Sequence, residues 1–415
     1  MPTIDTERLK ARFIRYAKIY SQSQDGVEDR YPSTPQQEEF ARILEQDLRE
    51  MGLQEVERDQ HCYVTATIPA SPGCESKPVV GLLAHFDTYF GTSGKDVKPI
   101  VHVYRGGDIV LPDDPDVKIL AEENPDLAQH VGEEIITASG KTLLGADDKA
   151  GLSEILEAAA WLLEHPEHPR PKLRLGFTPD EEVGAGTKYF DVKRFGAHVA
   201  YTMDGSTMGE VENETFCADM ATVRIVGRDV HPGYAKNKMI NAARVAARFI
   251  ECIPQGLSPE RAEGRQGFLH PVSLSANTGE ATIIYIVRDF EVAGLQRLEA
   301  YLEMLAESLR REFEGAKIEI AIKEQYRNMR YDLDREPRAV PFAIEAVKLA
   351  GIEPKVTSIR GGTDGARLSA MGLPTPNIFA GGINFHSKFE WVAVRTMAKA
   401  TESILHLVKL WAERG

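Results

Sequence analysis

The sequence lacks the long apolar run that a membrane protein needs, and it has few cysteines. No hydrophobic stretch approaches the roughly 18 residues that span a bilayer, and the amphipathic first twenty residues contain no apolar core of a secretory signal. Cys62, Cys74, Cys217 and Cys252 lie far apart and form no Cys-X-X-Cys pair. These absences argue against a disulfide framework or a thiolate zinc site, and we expect a soluble protein of the reducing cytoplasm.

Positive charge is also in short supply. The 415 residues include 49 Lys and Arg against 63 Asp and Glu, a formal net charge of -14. Because binding to nucleic-acid phosphates needs a basic surface, this composition disfavours a nucleic-acid partner. Hydrophobic residues make up 42%, which is ordinary for a globular protein, and a chain of this length is expected to form two or three domains.

Strand-like and helical segments alternate in the first half of the chain. The runs 78–87, 172–178 and 198–205 are mostly apolar and end in polar residues or glycine, as buried strands do. Residues 152–165 have helical periodicity and end before Pro166. This alternation predicts an α/β domain whose ligands gather beyond the carboxyl ends of its strands.

The pattern changes between residues 208 and 328. Periodicity there predicts a strand, a helix, two adjacent strands, a helix and a strand, at residues 221–227, 241–253, 272–279, 281–287, 295–309 and 316–322. This β-α-β-β-α-β order is ferredoxin-like. We therefore predict an α/β domain, residues 1–207 and 329–415, interrupted by a ferredoxin-like domain at 208–328. The acidic, turn-rich stretch 91–135 is interpreted as a long excursion from the first domain.

Five segments carry residues able to bind a metal or move a proton. They contain His85 with Asp87, Asp147 with Asp148, Asp180 with Glu181 and Glu182, Asp204, and His386. Each has an ordinary explanation alone, such as a surface histidine, a first-turn helix charge or a solvated acidic turn. Together they form a nitrogen and oxygen ligand set at strand ends and Gly-rich turns of one α/β domain. Such a set is typical of zinc or a related divalent ion in a hydrolytic site.

Spacing suggests two roles within that set. His85 and Asp87 are two residues apart on a strand and face the same side, and a metal-binding histidine usually donates its second ring N–H to a carboxylate or carbonyl. The adjacent Glu181 and Glu182 permit a division of labour in which one binds metal while its neighbour moves protons.

Seven motifs in order, HFD, GADDKAG, PDEEVG, TMDG, VHPGYAKNKM, RGGTDGARLS and GGINFHSKFE, resemble those of the dizinc aminoacylase/carboxypeptidase-type metallopeptidases. Within that family the chain is most similar to the tripeptide aminopeptidases, over nearly its whole length. The resemblance implies a zinc-binding catalytic α/β domain with an inserted ferredoxin-like domain that serves as a lid and for dimerisation. It also implies release of the N-terminal residue from tripeptides by metal-activated attack of water.

The resemblance further implies two Zn²⁺ per subunit. His85 and Asp204 would hold one ion, Glu182 and His386 would hold the other, and Asp147 would bridge the two.

Other roles carry over motif by motif. Asp87 would orient the metal-binding histidine, Glu181 would be the general acid and base, and His231 on the lid would polarise the scissile carbonyl. In this family the peptide bond after the bridging aspartate, here Asp147–Asp148, is typically cis.

Four residues are candidates for gripping the carboxylate of the substrate: Arg288, Asn328, Arg330 and Arg360. Guanidinium suits this role because it binds carboxylate with two parallel hydrogen bonds. For any single arginine among them, a surface salt bridge is the alternative interpretation.

Alternatives to the tripeptide activity stay open. Around the last ligand the family often has HGKHE, whereas this chain has HSKFE at 386–390, so another reaction of the family (dipeptidase, carboxypeptidase or N-acyl amino acid deacylase) is the first alternative. A catalytically inactive zinc-stabilised binding protein is the second, and Glu181 argues against it because structural zinc needs no spare carboxylate. Expected partners are short peptides and a second copy through the lid, with no nucleic acid and no membrane.

Overall fold

The computed structural model describes residues 2–415, which form two compact units. The first unit comprises the residues up to Asn213 with Asp332–Ser358 and Thr363–Gly415, and the second comprises Glu214–Tyr331 and Ile359–Gly362. The chain thus leaves the first unit and returns to it. It leaves later than the predicted boundary at 207/208, because the strand that begins at Glu210 still pairs with the sheet of the first unit.

The helices and strands of the described chain have the following bounds. The helices are α1 (Thr6–Ala17), α2 (Pro35–Glu50), α3 (Ala146–Glu164), α4 (Val192–Phe195), α5 (Ala242–Glu251), α6 (Val292–Glu312), α7 (Arg330–Leu333), α8 (Ala339–Leu349), α9 (Asp364–Ala370) and α10 (Val394–Arg414). The strands are β1 (Gln54–Arg58), β2 (Val64–Ile68), β3 (Val80–His85), β4 (Ile100–Val103), β5 (Ile109–Val110), β6 (Lys118–Ile119), β7 (Glu134–Thr137), β8 (Leu173–Thr178), β9 (Val199–Gly205), β10 (Glu210–Thr215), β11 (Cys217–Val226), β12 (Phe268–Ala276), β13 (Glu280–Asp289), β14 (Lys317–Tyr326), β15 (Lys355–Ile359), β16 (Asn377–Phe379), β17 (Gly382–Ile383) and β18 (Trp391–Ala393). Within residues 2–415, none of the helices combines the length and apolar character needed to cross a bilayer.

An eight-stranded mixed sheet organises the first unit, in the order β1-β2-β8-β3-β9-β16-β10-β15. Its central strands β8, β3, β9 and β16 are parallel neighbours. Every residue of β3 and β8 is buried, since helices α1, α2, α3, α8 and α10 share one apolar core with the sheet. Strands covered on both faces need apolar residues in succession, which explains the uninterrupted runs in the sequence. Their carboxyl ends lie at one edge, where His85 pairs in register with Thr178.

The excursion at 91–135 is folded rather than irregular. Its strand β4 joins a small antiparallel sheet in the order β17-β18-β7-β4, and β5 pairs with β6. Leu111, Ile119, Leu127 and Trp391 form part of a separate small core beneath these strands. The excursion is therefore attached to the segment 382–393, which contains His386.

The second unit contains one antiparallel sheet in the order β12-β13-β11-β14. Its elements follow along the chain as β11, α5, β12, β13, α6 and β14, which is the β-α-β-β-α-β order expected from the sequence. Alternate residues of β11 and β13, such as Val223, Ile283 and Tyr285, pack with Leu298 and Leu302 of α6 in a core of its own. Alternation arises because one face of each strand meets the helices.

Candidate metal centre

His85, the last residue of β3, lies at the centre of a buried polar cluster. Its Nε2 is 2.8 Å from Asp147 Oδ1 and 3.7 Å from Asp204 Oδ1. Its Nδ1 is 3.1 Å from the carbonyl oxygen of Asp87 and 3.3 Å from Asp87 Oδ1. One ring nitrogen therefore faces the carboxylates while the other is held by Asp87, and this leaves Nε2 as the nitrogen available to a metal.

Asp147 contacts both histidines of the cluster. Its second oxygen, Oδ2, is 3.1 Å from His386 Nε2, so each carboxylate oxygen faces one imidazole. The Asp147–Asp148 peptide bond is cis, as the family resemblance implied. Asp148 has a different environment, because its oxygens accept from the backbone N–H groups of His85 and Gly151, each at 3.2 Å. Asp147 thus faces both histidines, whereas Asp148 holds the start of α3 while its carboxylate stays close to His85 and Asp204.

The turn after β8 brings Glu182 to the other side of His386. Glu182 Oε2 is 2.9 Å from His386 Nε2. Its Oε1 is buried and, among residues 2–415, has no hydrogen-bond partner. The imidazole of His386 stacks on Tyr89 with ring centroids 4.1 Å apart and planes 7° from parallel. Thr92 Oγ1 donates a hydrogen bond to the backbone carbonyl oxygen of His386.

The donor atoms form two overlapping groups in which all ligand atoms lie within 4.8 Å of one another. One group is His85, Asp148 and Asp204, and the other is His85, Asp147 and Glu182. A buried carboxylate oxygen without a partner is costly unless a cation or a donor meets it, and Glu182 Oε1 is such an atom. Imidazole nitrogens and carboxylate oxygens without thiolate fit Zn²⁺ or a related divalent ion. The residues present therefore fit a metal site.

Crowding of carboxylates shifts the pKa values of the cluster. Burial and the charge of Asp147 raise the pKa of Glu182 to about 8, and burial raises that of Asp204 to about 6. Burial opposes the charged form of His386, but hydrogen bonds to Asp147 and Glu182 outweigh it and raise its pKa to about 11. The raised pKa values of Glu182 and Asp204 mean that burial and neighbouring carboxylates disfavour their charged forms, and a bound cation would stabilise those forms.

Glu181 occupies the same turn but has different neighbours. Burial, followed by the charge of Asp364, raises its pKa well above the ordinary value for glutamate. Its Oε1 is 3.9 Å from Arg367 Nη1. A carboxyl group whose pKa is raised in this way is suited to exchange protons.

Buried polar side chains position these turns. Asp87 Oδ1 accepts from Glu181 N at 3.0 Å and Oδ2 accepts from Glu182 N at 3.2 Å. Asp87 therefore holds both the imidazole of His85 and the turn that contains the two glutamates (the glutamate turn). Asn377 Oδ1 accepts from Asp204 N at 3.0 Å.

No site role was predicted from the sequence for Asn377, Asp364, Arg367 or Glu390. The motifs RGGTDGARLS and GGINFHSKFE contain three of them, and membership in those motifs was the available signal.

His231, proposed from the sequence as a catalytic group, belongs to the second unit. It is exposed at the start of a short 3-10 turn, Pro232–Tyr234, and its Nδ1 accepts from Gly233 N at 3.2 Å. Its catalytic role stays a prediction.

The four predicted substrate ligands also belong to the second unit, where each has partners. Asn328 is buried, and its side chain bonds backbone groups of Thr215, Phe290 and Arg330. Arg330 pairs with Glu291 at 2.9 Å. The other contacts are Arg288 Nη1 to Asp219 O at 3.2 Å and Arg360 Nη1 to Gln266 O at 3.2 Å. Their role in holding substrate stays a prediction.

Known proteins resemble this chain over its whole length. The model of Peptidase family M20/M25/M40 matches residues 140–410. Peptidase T of Listeria monocytogenes (serotype 4b, strain F2365) is 45% identical over 409 residues, which cover 98% of this chain and 99% of that protein. Peptidase T of Geobacillus thermodenitrificans (strain NG80-2) is 44% identical with the same coverage.

Solved structures share the fold at lower identity. Aminopeptidase PepT from Bacillus cereus ATCC 10987 has a TM-score of 0.77 at 22% identity, over 99% of this chain and 100% of that one. A tripeptidase from Staphylococcus aureus subsp. aureus Mu50 has a TM-score of 0.78 at 20% identity over 100% of both chains. A dinuclear metal-binding peptidase of the M20 family from Bacillus subtilis has a TM-score of 0.67 at 16% identity over 98% of each.

Proposed function

The chain belongs to peptidase family M20/M25/M40, and from that premise we propose that it is a dizinc aminopeptidase that releases the N-terminal residue from tripeptides. The observation that carries the proposal is the Asp147 carboxylate, which contacts His85 Nε2 at 2.8 Å and His386 Nε2 at 3.1 Å. A carboxylate shared by two imidazoles can bridge two cations.

The proposed ligand sets follow from the neighbours of each histidine. His85 and Asp204, whose facing atoms are 3.7 Å apart, would hold one ion. His386 and Glu182, at 2.9 Å, would hold the other, with Asp147 shared. Two zinc ions held there would supply a water of lowered pKa and an electrophile for the scissile carbonyl.

Glu181 is the proposed proton carrier. It would take the proton from the attacking water and return it to the leaving amine, which requires one carboxyl group to change protonation state within each turnover. Its place beside a ligand and its raised pKa support this assignment. Asp87 supports it too, because it holds Glu181 N and so limits the motion of the turn.

Tripeptide specificity is proposed from the relatives. Two proteins named Peptidase T are 44–45% identical to this chain, and chains of the same fold are an aminopeptidase and a tripeptidase. We propose that Arg288, Asn328, Arg330 and Arg360 meet the substrate carboxylate, that His231 polarises the carbonyl, and that the second unit is the lid and dimerisation domain.

Two adjacent glutamates provide the sharpest test. Glu181→Gln keeps the size of the side chain but cannot accept the proton, so it should retain both ions and lose roughly 10²–10⁴ in kcat. Glu182→Gln removes charge from a ligand and should lose part of its metal. Metal content and turnover are measured on the same purified samples, with Glu122→Gln on the exposed surface as the matched control.

Two outcomes would count against these assignments. If Glu181→Gln is metal-depleted while Glu182→Gln is fully loaded, the two roles are reversed. If both variants are loaded and active, the proposed site is wrong.

A substrate panel tests the activity itself. Free tripeptides should be cleaved best, with release of the N-terminal residue and loss of activity on chelation. Acetylated tripeptides should be rejected because their amine is blocked, and comparable turnover on peptides of six or more residues would contradict the tripeptide assignment. Preference for acetylated substrates would instead favour a deacylase.

A further inference from the structure

The carboxylate of Glu390 is buried against the turn that leads into α3. Its Oε2 accepts from Leu144 N at 2.6 Å and from Gly145 N at 2.8 Å, and its Oε1 accepts from Asp147 N at 3.1 Å. Only 1% of the residue is exposed. The three donors are backbone N–H groups, and the buried Lys149 donates its Nζ to the carbonyl oxygen of Ile19 instead.

This turn depends on a partner from elsewhere in the chain. Gly145 is the N-cap of α3 in the left-handed conformation, with φ 82°, and has no side chain with which to cap the helix. Asp147 has non-helical backbone angles, φ -83° and ψ 107°. The N–H groups at the start of a helix have no intrahelical acceptor, and a buried N–H without a partner is costly. A carboxylate also suits the positive end of the helix dipole.

The segment that supplies Glu390 also supplies His386. His386 Nε2 contacts the carboxylate of Asp147 at 3.1 Å, while Glu390 contacts its backbone N–H. Within the segment, Asn384 Nδ2 donates to the carbonyl oxygen of Phe389. One short segment therefore holds Asp147 at both its side chain and its main chain.

We propose that Glu390 is a positioning residue that sets the direction of the Asp147 carboxylate between the two histidines. Loss of its charge should weaken the binding of both ions together, because Asp147 is shared. It should lower kcat with little change in KM, because the Glu390 carboxylate is buried and occupied by backbone N–H groups rather than open to a substrate. The inference rests on the proposed function for the bridging role of Asp147.

The test uses Glu390→Gln in the full chain. The glutamine has one amide oxygen, which can accept hydrogen bonds from only some of the three backbone N–H groups. Its NH₂ group would face another backbone N–H, so that two donors would meet. Zinc affinity is measured by titrating chelator-treated protein against a competing chromophoric chelator, and kcat and KM are measured on a tripeptide. Loss of a partner behind a metal ligand typically costs about 10–100-fold in metal affinity or activity, and we expect that loss for both ions.

Glu157→Gln is the matched control. Glu157 is a fully buried carboxylate on the same helix, α3, and pairs with Arg8 at 2.7 Å rather than with the turn. It should lower the unfolding temperature of the metal-free protein and leave zinc affinity unchanged. Glu390→Asp, which keeps the charge but withdraws it by one methylene, serves if the Gln variant folds poorly, and it should show the same paired loss of affinity.

Unchanged zinc affinity in a folded Glu390 variant would overturn the inference, as would loss of one ion alone. If the wild-type protein binds two ions and cleaves tripeptides while the Glu390 variants match it, only the positioning role fails. If the wild-type protein binds two ions without cleaving tripeptides, the proposed substrate fails and the affinity measurement still decides the role of Glu390.

Discussion

Asp180 ties the glutamate turn of the metal centre to helix α2. Its Oδ2 accepts from Ser33 N at 2.6 Å, and its Oδ1 accepts from Ser33 Oγ at 2.5 Å and from Gln37 Nε2 at 2.6 Å. Asp180 N donates to Gln37 Oε1 at 2.9 Å. The residue is 1% exposed and has a left-handed backbone, with φ 55°. Glu181 follows it directly, so loosening Asp180 should loosen the turn.

The cost of Asp180→Ala can be worked from these contacts. A hydrogen bond to a charged group contributes about 1.5–3 kcal/mol, and a buried donor left unsatisfied costs about 1–3 kcal/mol. Alanine in the left-handed conformation adds about 1–2 kcal/mol. Burial raises the pKa of Asp180 despite the hydrogen bonds from Ser33 and Gln37. Removing this desolvated charge therefore offsets part of the cost of the substitution. We expect a net loss of about 3–4 kcal/mol of unfolding free energy by this balance.

Asp180→Asn should cost less, about 1–2 kcal/mol, because asparagine tolerates the left-handed conformation and keeps one acceptor. Both variants should retain metal, and the alanine variant should lose roughly 10–100-fold in kcat, since a displacement of about 1 Å in a catalytic group has effects of this size.

Urea unfolding followed by tryptophan fluorescence reports the first unit selectively, because the protein's three tryptophans, Trp161, Trp391 and Trp411, all belong to it. Asp191→Asn is the control: Asp191 caps α4 by accepting from Arg194 N, and asparagine caps equally well. If the unfolding free energy of Asp180→Ala lies within 0.5 kcal/mol of the wild-type value (roughly the scatter of ordinary surface substitutions), the hydrogen bonds of Asp180 do not stabilise the turn.

Two further predictions concern stability away from the metal centre. Hydrogen bonds from Arg338 lower the pKa of Glu336, burial opposes that shift, and a hydrogen bond from His198 adds to it. The resulting pKa is about 2, against 4.5 unperturbed. This stabilisation is complete well above pH 4.5 and is lost as pH falls towards 2. Its upper limit is about 3 kcal/mol, and exposure of Arg338 (38%) and His198 (53%) reduces it to about 1–1.5 kcal/mol by screening. Glu336→Gln should thus cost that amount at pH 7 and less than half at pH 3 in urea unfolding, and an equal cost at both would contradict the assignment. Leu302→Ala, in the core of the second unit, should cost about 2–5 kcal/mol, measured by hydrogen exchange of β11 and β13, and a cost below 1 kcal/mol would contradict that packing.

Much of the secondary structure follows from local sequence. The predicted strands 172–178 and 198–205 correspond to β8 and β9 within one residue at each end, because runs buried on both faces are apolar until they reach a polar edge. Helix α6 extends three residues beyond the predicted 295–309 at each end, since its terminal turns add little to the apolar stripe.

The excursion at 91–135 could not be resolved from local sequence. Its strands β4, β5 and β6 have two to four residues, which is too short for a period-two pattern to be recognised. Strand β4 is ordered by pairing with β7, β5 and β6 pair with each other, and the small core of this region includes Trp391, far away along the chain.

The candidate ligands could be proposed from the sequence because each follows a strand or occupies a Gly-rich turn, and the ends of parallel strands meet at one edge. The residues that hold those turns could not. Glu390 bonds Leu144 across 246 residues, and Asp180 bonds Ser33 across 147. Backbone preference and periodicity act over a few residues, so they determined the elements and the ligand types. Which buried carboxylate meets which backbone N–H was decided only when the sheet and its helices closed around the site.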